Sequence, residues 1–199
     1  TFATSGPRIK VRFFAGNNFD SAMLDADDLI AQAYERGVPM GSELQAGAGA
    51  PTFLLWAAGD PRGTPLQRLQ VVKGFIHDGE PMEKVYDVAC SDGLSPGTDT
   101  YRCPDNGARV NLADCSTTND VGDPELLTVW QDPEFDSEED AFYYLRVLEN
   151  PTCRWSTWDA IREGVEPRPD LPATLQERAW SAPIWVRKLS ENENTALPL

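Results

Sequence analysis

Histidine is nearly absent from this sequence, and its scarcity excludes several kinds of active site. The 199 residues include one histidine, His77, beside the turn residues Asp78 and Gly79. A Ser-His-Asp hydrolase requires a histidine base next to its nucleophile, and one imidazole at a predicted hairpin tip is a poor candidate for that base. We therefore expect His77 to be a solvated side chain.

Basic residues are also scarce. The chain has 17 Lys and Arg against 32 Asp and Glu, for a formal net charge of −15. Such a charge repels phosphate backbones and anionic lipid, so no nucleic-acid partner is expected. No apolar run reaches the ~20 residues that span a bilayer, so no membrane insertion is expected either. The acidic residues indicate solubility; calcium binding is the alternative, but the alternating acids of residues 132–138 lack the glycine and spacing of an EF-hand.

Cysteines number four, and none forms the C-x-x-C pairs typical of zinc sites. Cys90 and Cys103 bracket a turn-rich loop that a local bridge would close, which leaves Cys115 to pair with Cys153 across a longer loop. Four cysteines allow three pairings, and this one is preferred. The alternative is four buried thiols in a reducing compartment, but all four lie in or beside loops, which favours disulfides.

Strand patterns dominate the chain and predict a mainly-β (α+β) fold, an antiparallel β-sandwich with a few short helices. The Asp78-Gly79 pair predicts a hairpin. Residues 52–58 are apolar without alternation, as in a strand covered on both faces. Residues 141–149 fit a strand or a helix, and their aromatic content favours the strand. The expected strands are residues 9–14, 52–58, 69–76, 83–88, 126–130 and 141–149.

Three helices are expected. Asp25 is placed to cap the first, which ends at Gly37. A capping-box pattern opens the second at residue 156, and Gly164 ends it. Pro172 suits the first position of a third.

The domain organisation follows from these patterns. Residues 1–188 are predicted to form a single domain, interrupted by a loop-rich insertion at about residues 91–124. Residues 189–199 are polar and are expected to form a flexible tail.

Arginines beside aromatic residues are the most informative candidate site residues. Arg146, Arg154 and Arg178 have the planar donors that clamp a carboxylate, sulfate or phosphate. The alternative is that they are ion-pair struts to Glu149 or Glu177. Six tryptophans and five tyrosines also raise carbohydrate binding as a possibility, against the alternative that they fill the core.

Several segments together resemble the C-terminal portion of a bacterial family catalogued as domain of unknown function 3604. The resemblance covers nearly the whole chain. The matching segments are ATSGPRI (3–9), VRFF (11–14), LQRLQVVKG (66–74), VYDVA (85–89), VWQDPEFD (129–136), AFYY (141–144), RVLENPTCRWS (146–156) and QERAWSAPIW (176–185).

The resemblance implies an exported protein longer than this chain. Its N-terminal region would be similar to the polymerase-and-histidinol-phosphatase (PHP) class of hydrolases, with a divalent metal on His and Asp ligands. None of those metal motifs occurs here, so we expect the catalytic domain upstream of residue 1, and no metal or cofactor in this chain. Ser5 and Arg8 would lie at the junction with that domain and are the residues expected to reach its active site, as substrate-binding or domain-docking residues.

The sequence therefore predicts an accessory C-terminal domain of a periplasmic or extracellular PHP-like hydrolase of phosphate or other esters, not catalytic alone. Its partner would be the missing N-terminal part of the same protein. Arg146, Arg154 and Arg178 would be anion-binding or domain-docking residues. The alternative is an independent extracytoplasmic binding or assembly module, for a carbohydrate or a protein partner. An accessory domain should bury the face formed by residues 1–8 against the missing domain and, when isolated, expose a large apolar patch there. An independent module should hide that face and present an aromatic platform elsewhere.

Overall fold

Eleven strands, two α-helices and a 3-10 turn make up the described part of the chain. The computed structural model describes residues 1–47 and 49–188. The strands are β1 (Phe2–Thr4), β2 (Lys10–Gly16), β3 (Gly37–Pro39), β4 (Glu43–Gln45), β5 (Thr52–Ala58), β6 (Leu66–His77), β7 (Glu80–Cys90), β8 (Glu125–Gln131), β9 (Ala141–Cys153), β10 (Thr174–Ser181) and β11 (Ile184–Arg187). The helices are α1 (Leu29–Arg36) and α2 (Trp155–Glu163), and the 3-10 turn spans Ser21–Asp25.

The strands form two sheets. The smaller has the order β3-β2-β5-β8, with every pair antiparallel. In the larger sheet, β9 pairs on one edge with β6, and β6 pairs in turn with β7. On its other edge β9 pairs with β10 along one part of its length and with β11 along another part. β1 joins the far edge of β10, and β4 joins β11 as the parallel pair of this sheet. The predicted β-sandwich is confirmed, with one parallel pair added at its edge.

The main core lies between the two sheets. Val11, Phe13 and Leu55 from the smaller sheet meet Val71 and Leu145 from the larger, all completely or almost completely buried. Burial of this apolar surface is the main stabilising contribution to the sandwich.

A second apolar cluster lies on the other side of the smaller sheet. Phe14 and Leu54 pack there against Met23 of the 3-10 turn and Ala33 of α1. β5 is thus covered on both faces, which confirms the prediction made from its uninterrupted apolar run.

Most predicted strands are found, some with longer bounds. The β6–β7 hairpin turns at Asp78 and Gly79, whose φ values are 51° and 81°, as a two-residue turn with two left-handed residues requires. The ambiguous segment 141–149 is a strand, which continues to Cys153.

Two helix predictions need correction. Asp25 does not cap helix α1, which begins at Leu29 with Asp28 at its N-cap position. Asp25 instead ends a separate 3-10 turn, whose first N–H groups are capped by Asp20. The third helix is wrong: residues after Pro172 form β10, because hydrogen bonding to β1 on one edge and β9 on the other outweighs helical propensity. Helix α2 ends at Gly164 as predicted, with φ 65°.

Both preferred disulfides are present. Cys90 at the end of β7 bonds to Cys103, and Cys115 bonds to Cys153 at the end of β9. They fasten the insertion of residues 91–124 to the larger sheet, and Asn106 adds a hydrogen bond of 2.9 Å to Asn150. The predicted tail, residues 189–199, lies outside the described residues.

Candidate functional site

The segment that follows β1 forms hydrogen bonds with two acidic side chains, those of Glu177 and Asp60. The Ser5 hydroxyl donates to the Glu177 carboxylate and accepts from the backbone N–H of Arg178 at 2.9 Å. The backbone N–H of Arg8 donates to Asp60 at 2.8 Å. Backbone N–H groups, of Arg62 first and then of Arg8, lower the pKa of Asp60 and keep it ionised. Ser5 and Arg8 thus lie beside two carboxylates, of which the sequence analysis had named Glu177 as a possible partner of an arginine and had not singled out Asp60.

These groups border a cavity of about 530 Å³ at this end of the sandwich. Three carboxylates line it, those of Asp60, Glu149 and Glu177, together with Arg62 and Trp158. Threonine and asparagine side chains complete the polar lining, and Cys115 of the second disulfide forms part of the wall. Six segments contribute, so the cavity depends on the complete fold: the segment after β1, the turn after β5, the insertion, strands β9 and β10, and helix α2.

Glu149 is the most deeply buried charged residue in this lining. It is 1 % exposed, and its Oε1 atom has no hydrogen-bond partner among the described residues. The Thr64 hydroxyl lies 3.4 Å from Oε2, but it donates at 2.8 Å to the carbonyl of Asn150, and one hydroxyl proton cannot serve both. The backbone N–H of Thr64 also contributes, so Thr64 is the residue that donates to this carboxyl group, at Oε2, and Oε1 is left without a donor.

Burial, followed by the negative charge of Glu177, raises the pKa of Glu149 to about 7. A perturbed acid in a cleft is typical of functional sites, although buried polar networks can produce the same shift. Gly63 packs against the carboxyl group so closely that a Cβ there would lie 2.9 Å from Oε1. A larger residue at position 63 would therefore require the Glu149 carboxyl group to shift.

The three candidate arginines do not form one anion site. The Nε of Arg146 donates to Gln70 at 2.7 Å, and Gln70 in turn donates to Asp87 at 2.6 Å. The Nε of Arg178 donates to the carbonyl of Gln176 at 3.2 Å. Arg146 and Arg178 share the outer face of the larger sheet by register, on neighbouring strands.

Arg154 lies apart from the other two, at the start of α2. Its Nε is buried and has no partner among the described residues. The sequence offered Glu149 and Glu177 as partners for these arginines, but each carboxylate instead contacts a hydroxyl group, of Thr64 and Ser5 respectively.

Asp87 organises the first disulfide loop. It forms an ion pair with Arg68 at 3.0 Å and accepts the backbone N–H of Cys103 at 2.7 Å. Because its side chain is completely buried, we interpret this network as structural.

A buried ion pair between the sheets was not predicted from the sequence. Lys73 and Asp132, each 3 % exposed, approach to 2.7 Å, and the Tyr143 hydroxyl donates to the same carboxylate at 2.8 Å. Lys73 also donates to the carbonyl of Glu134 at 2.8 Å. The sequence does contain a signal for this ion pair, because Lys73 is two residues from Val71 on β6 and therefore lies on the same, core-facing side of the strand. Asp132, one of the alternating acidic residues considered above for calcium binding, is therefore part of a buried ion pair.

The His77 imidazole pairs with Glu139 at 2.7 Å and is 60 % exposed. Its hydrogen bond to Glu139, followed by the charge of Asp78, raises its pKa. Residues 93–97 match the Gly-x-Ser-x-Gly pattern, but they lead into the loop insertion rather than into a helix. They also lie beyond the far end of β7 from His77, roughly 30 Å away for a strand of that length. A serine–histidine pair is therefore excluded there.

An apolar groove of about 590 Å³ lies on the outer face of the larger sheet. Ile76, Met82 and Trp185 are 56 %, 44 % and 42 % exposed, and Phe142 packs against Trp185 with ring centroids 5.1 Å apart. This is an aromatic and aliphatic surface away from residues 1–8.

Two further properties concern ligands and membranes. In residues 1–47 and 49–188, no group of three His, Cys, Asp or Glu side chains is arranged to hold a metal ion. Neither α-helix is long and apolar enough to cross a membrane.

The fold and the cavity together define a mainly-β sandwich domain with a disulfide-fastened insertion and an acidic cavity at one end. The chain belongs to the family described as "Protein of unknown function (DUF3604)", whose model matches residues 1–188. Searches of curated proteins and of solved structures found no match.

Proposed function

We propose that this chain is an accessory domain of an exported, PHP-like, metal-dependent hydrolase of phosphate or other esters, and that residues 1–8 are its docking segment. The catalytic domain and its divalent metal would lie upstream of residue 1. The two disulfides fit an oxidising compartment, periplasmic or extracellular.

The position of β1 is the observation that carries this proposal. β1 is the outermost strand at its end of the larger sheet, since it pairs with β10 and, in the described residues, with no other strand. A free edge offers backbone donors and acceptors to a further strand. Phe2, 39 % exposed, adds apolar surface beside that edge. Ser5 and Arg8 continue the same segment to the rim of the acidic cavity.

The full-length gene product tests the proposal. We expect its coding region upstream of Thr1 to contain a His-x-His metal motif and the protein to hydrolyse p-nitrophenyl phosphate with a divalent metal. Phe2→Asp should reduce turnover about tenfold or lower the melting temperature by a few degrees, the range for losing a buried apolar contact. Val165→Asp is the matched control, because Val165 is 61 % exposed and lies outside the segment. An upstream region without a metal motif, or equal behaviour of the two variants, would overturn the proposal.

The apolar groove favours a second candidate function, an extracytoplasmic binding or assembly module for a protein partner. Exposed apolar patches of this kind commonly mark protein interaction sites. Variants of the full-length protein separate the candidates. If Ile76→Asp or Met82→Asp abolishes an assembly that the native protein forms in analytical ultracentrifugation, while Phe2→Asp changes neither turnover nor melting temperature, the assembly module is supported and the assignment of docking to residues 1–8 is wrong.

A further inference from the structure

Lys73 and Asp132 bring an amine and a carboxyl group into contact inside the sandwich. Lys73 lies on β6 of the larger sheet, and Asp132 directly follows β8 of the smaller sheet. The Nζ atom lies 2.7 Å from Oδ2, and the two side chains are 3 % and 0 % exposed. Since a carboxyl carbon is about 1.2 Å from its oxygen, Cγ of Asp132 is at most about 4 Å from Nζ. A contact held at this distance replaces a bimolecular encounter by an intramolecular step.

The surroundings of the contact are dry and aromatic. The rings of Phe75 and Tyr143 have their centroids 5.0 Å and 5.8 Å from Nζ. Burial of two charges is costly, and proton transfer from the ammonium to the carboxylate removes both of them. The neutral amine is a nucleophile, and the exclusion of water protects an amide from hydrolysis.

Each carboxyl oxygen of Asp132 has donors suited to one part of an amide-forming reaction. Oδ1 accepts the backbone N–H of Glu134 at 2.9 Å, which would stabilise the negative charge that develops when nitrogen adds to Cγ. Oδ2 accepts from Lys73 at 2.7 Å and from the Tyr143 hydroxyl at 2.8 Å. Oδ2 is therefore the oxygen placed to receive protons and leave.

The residue after Asp132 blocks the competing reaction of an aspartyl carboxyl group. That reaction is attack by the next backbone N–H, which closes a succinimide ring. Pro133 has no backbone N–H. The amine that contacts this carboxyl group is that of Lys73, held also by the Glu134 carbonyl at 2.8 Å.

We propose that Lys73 and Asp132 condense to an intramolecular isopeptide bond that joins the two sheets. A proton passes from Nζ to Oδ2, the nitrogen lone pair forms a bond to Cγ, and the Cγ–Oδ2 bond breaks. Oδ2 leaves as water with that proton and a second one from the nitrogen, so the reaction needs no oxidant, reductant or further reactant. The product is a covalent link insensitive to reductants, beside the two disulfides. It is independent of the docking proposed above.

Peptide mapping of the folded full-length protein tests this proposal. After reduction and alkylation of the disulfides, trypsin should release residues 69–84, uncleaved after Lys73, joined to residues 110–146 as one branched peptide. Its mass should be lower than the sum of the two peptides by one water. A succinimide elsewhere in the chain also loses water but joins no peptides. Protein recovered unfolded and never refolded should be cleaved after Lys73, because the reaction depends on the fold.

Lys84 provides a matched control. It pairs with Glu134 at 2.9 Å, but both side chains are about 40 % exposed, so trypsin should cleave after Lys84. Lys73→Arg keeps the charge and should abolish the branched peptide, whereas Lys84→Arg should leave it unchanged. Tyr143→Phe removes a donor to the leaving oxygen and should slow formation of the branched peptide on refolding about tenfold or more.

Complete cleavage after Lys73 in the folded native protein would overturn the proposal and leave the contact as an ion pair. A branched peptide that persists in Lys73→Arg would assign the link to another residue and would overturn it equally. Loss of stability in a Lys73 variant is expected for an ion pair as well, so the peptide masses decide. The native protein alone supplies the first result, whether or not the variants fold.

Discussion

Glu149 shows how one side chain can make stability depend on pH. Its pKa is raised from 4.5 to about 7, chiefly by burial. Between those values the unfolded chain has lost the Glu149 proton while the folded chain retains it. The folded state then binds more protons, and the free energy of unfolding falls as the pH rises.

Replacing this acid should remove that slope. Over the window from 4.5 to about 7 the ionisation of Glu149 costs on the order of 2–3 kcal/mol. Glu149→Gln keeps the shape and never ionises, so its free energy of unfolding should decline less between about pH 5 and pH 8. Urea unfolding at both pH values measures the difference.

Asp105 provides a control of opposite sign. Its pKa is lowered to about 2, chiefly by its hydrogen bond with Arg109, so the stability it contributes is present above 3.8 and is lost at more acidic pH. Asp105→Asn should therefore leave the slope between about pH 5 and pH 8 unchanged. If Glu149→Gln has the same slope as the native protein, the carboxyl group is ionised at lower pH than we infer.

Lys73 and Asp132 illustrate the cost of half a buried ion pair. Lys73→Met removes the cation and leaves Asp132 buried with only the Tyr143 hydroxyl and nearby backbone as partners, which should lower the free energy of unfolding by about 3–5 kcal/mol. Lys84→Met is the control, because Lys84 pairs with Glu134 at 2.9 Å but both side chains are about 40 % exposed, and it should cost less than about 1 kcal/mol. Chemical denaturation of both variants measures the contrast, and similar losses would contradict it.

At the scale of elements, the two disulfides constrain loops of different length. Cys90 and Cys103 are 13 residues apart, and Cys115 and Cys153 are 38 apart. Loop entropy assigns about 3 kcal/mol to the shorter bridge and about 4 kcal/mol to the longer. Replacing both cysteines of a pair by serine should therefore destabilise the protein more for the second pair. Guanidinium unfolding under non-reducing conditions provides the comparison, and the reverse order would show that the Cys90–Cys103 loop has native interactions beyond its entropy.

Strands with strong local patterns were predictable from the sequence. Residues 52–58 are a strand with the predicted bounds, because an uninterrupted apolar run between turn residues has few other solutions. β10 was missed because Pro172 suits the first position of a helix, and only pairing with β1 and β9 selects the extended form. Local propensity does not contain that information.

The candidate site was predictable only in part. Ser5 and Arg8 were identified as a junction, and the structure places both beside carboxylates at the cavity. Glu149 is one of 32 acidic residues, and nothing in its neighbourhood along the chain indicates burial next to Glu177. The cavity brings together groups from six separate segments, so only the tertiary fold could reveal it.

At the scale of the whole molecule, the two sheets have different surroundings. The smaller sheet is covered by the main core on one face and by α1 with the 3-10 turn on the other. The larger sheet has an outer face with exposed apolar residues around Trp185. Interactions with other molecules are therefore expected on the larger sheet and at the ends of the sandwich, rather than on the smaller sheet.

The net charge of −15 is also a property of the whole molecule. At neutral pH the folded chain concentrates these charges on a compact surface, and their mutual repulsion favours unfolding. Sodium chloride shortens the screening length from about 30 Å at 0.01 M to about 8 Å at 0.15 M, which weakens that repulsion. We expect a gain on the order of 1 kcal/mol, or a rise in melting temperature of about 2–4 °C, over this range.

The pH dependence of the salt effect separates repulsion from other salt effects. The sequence has a pI of about 4.3, where net repulsion is absent, so the rise in melting temperature should vanish near that pH. Calorimetry at both pH values and both salt concentrations measures it. An equal rise at the pI would assign the effect to the exclusion of salt from the protein surface, because that contribution does not require a net charge.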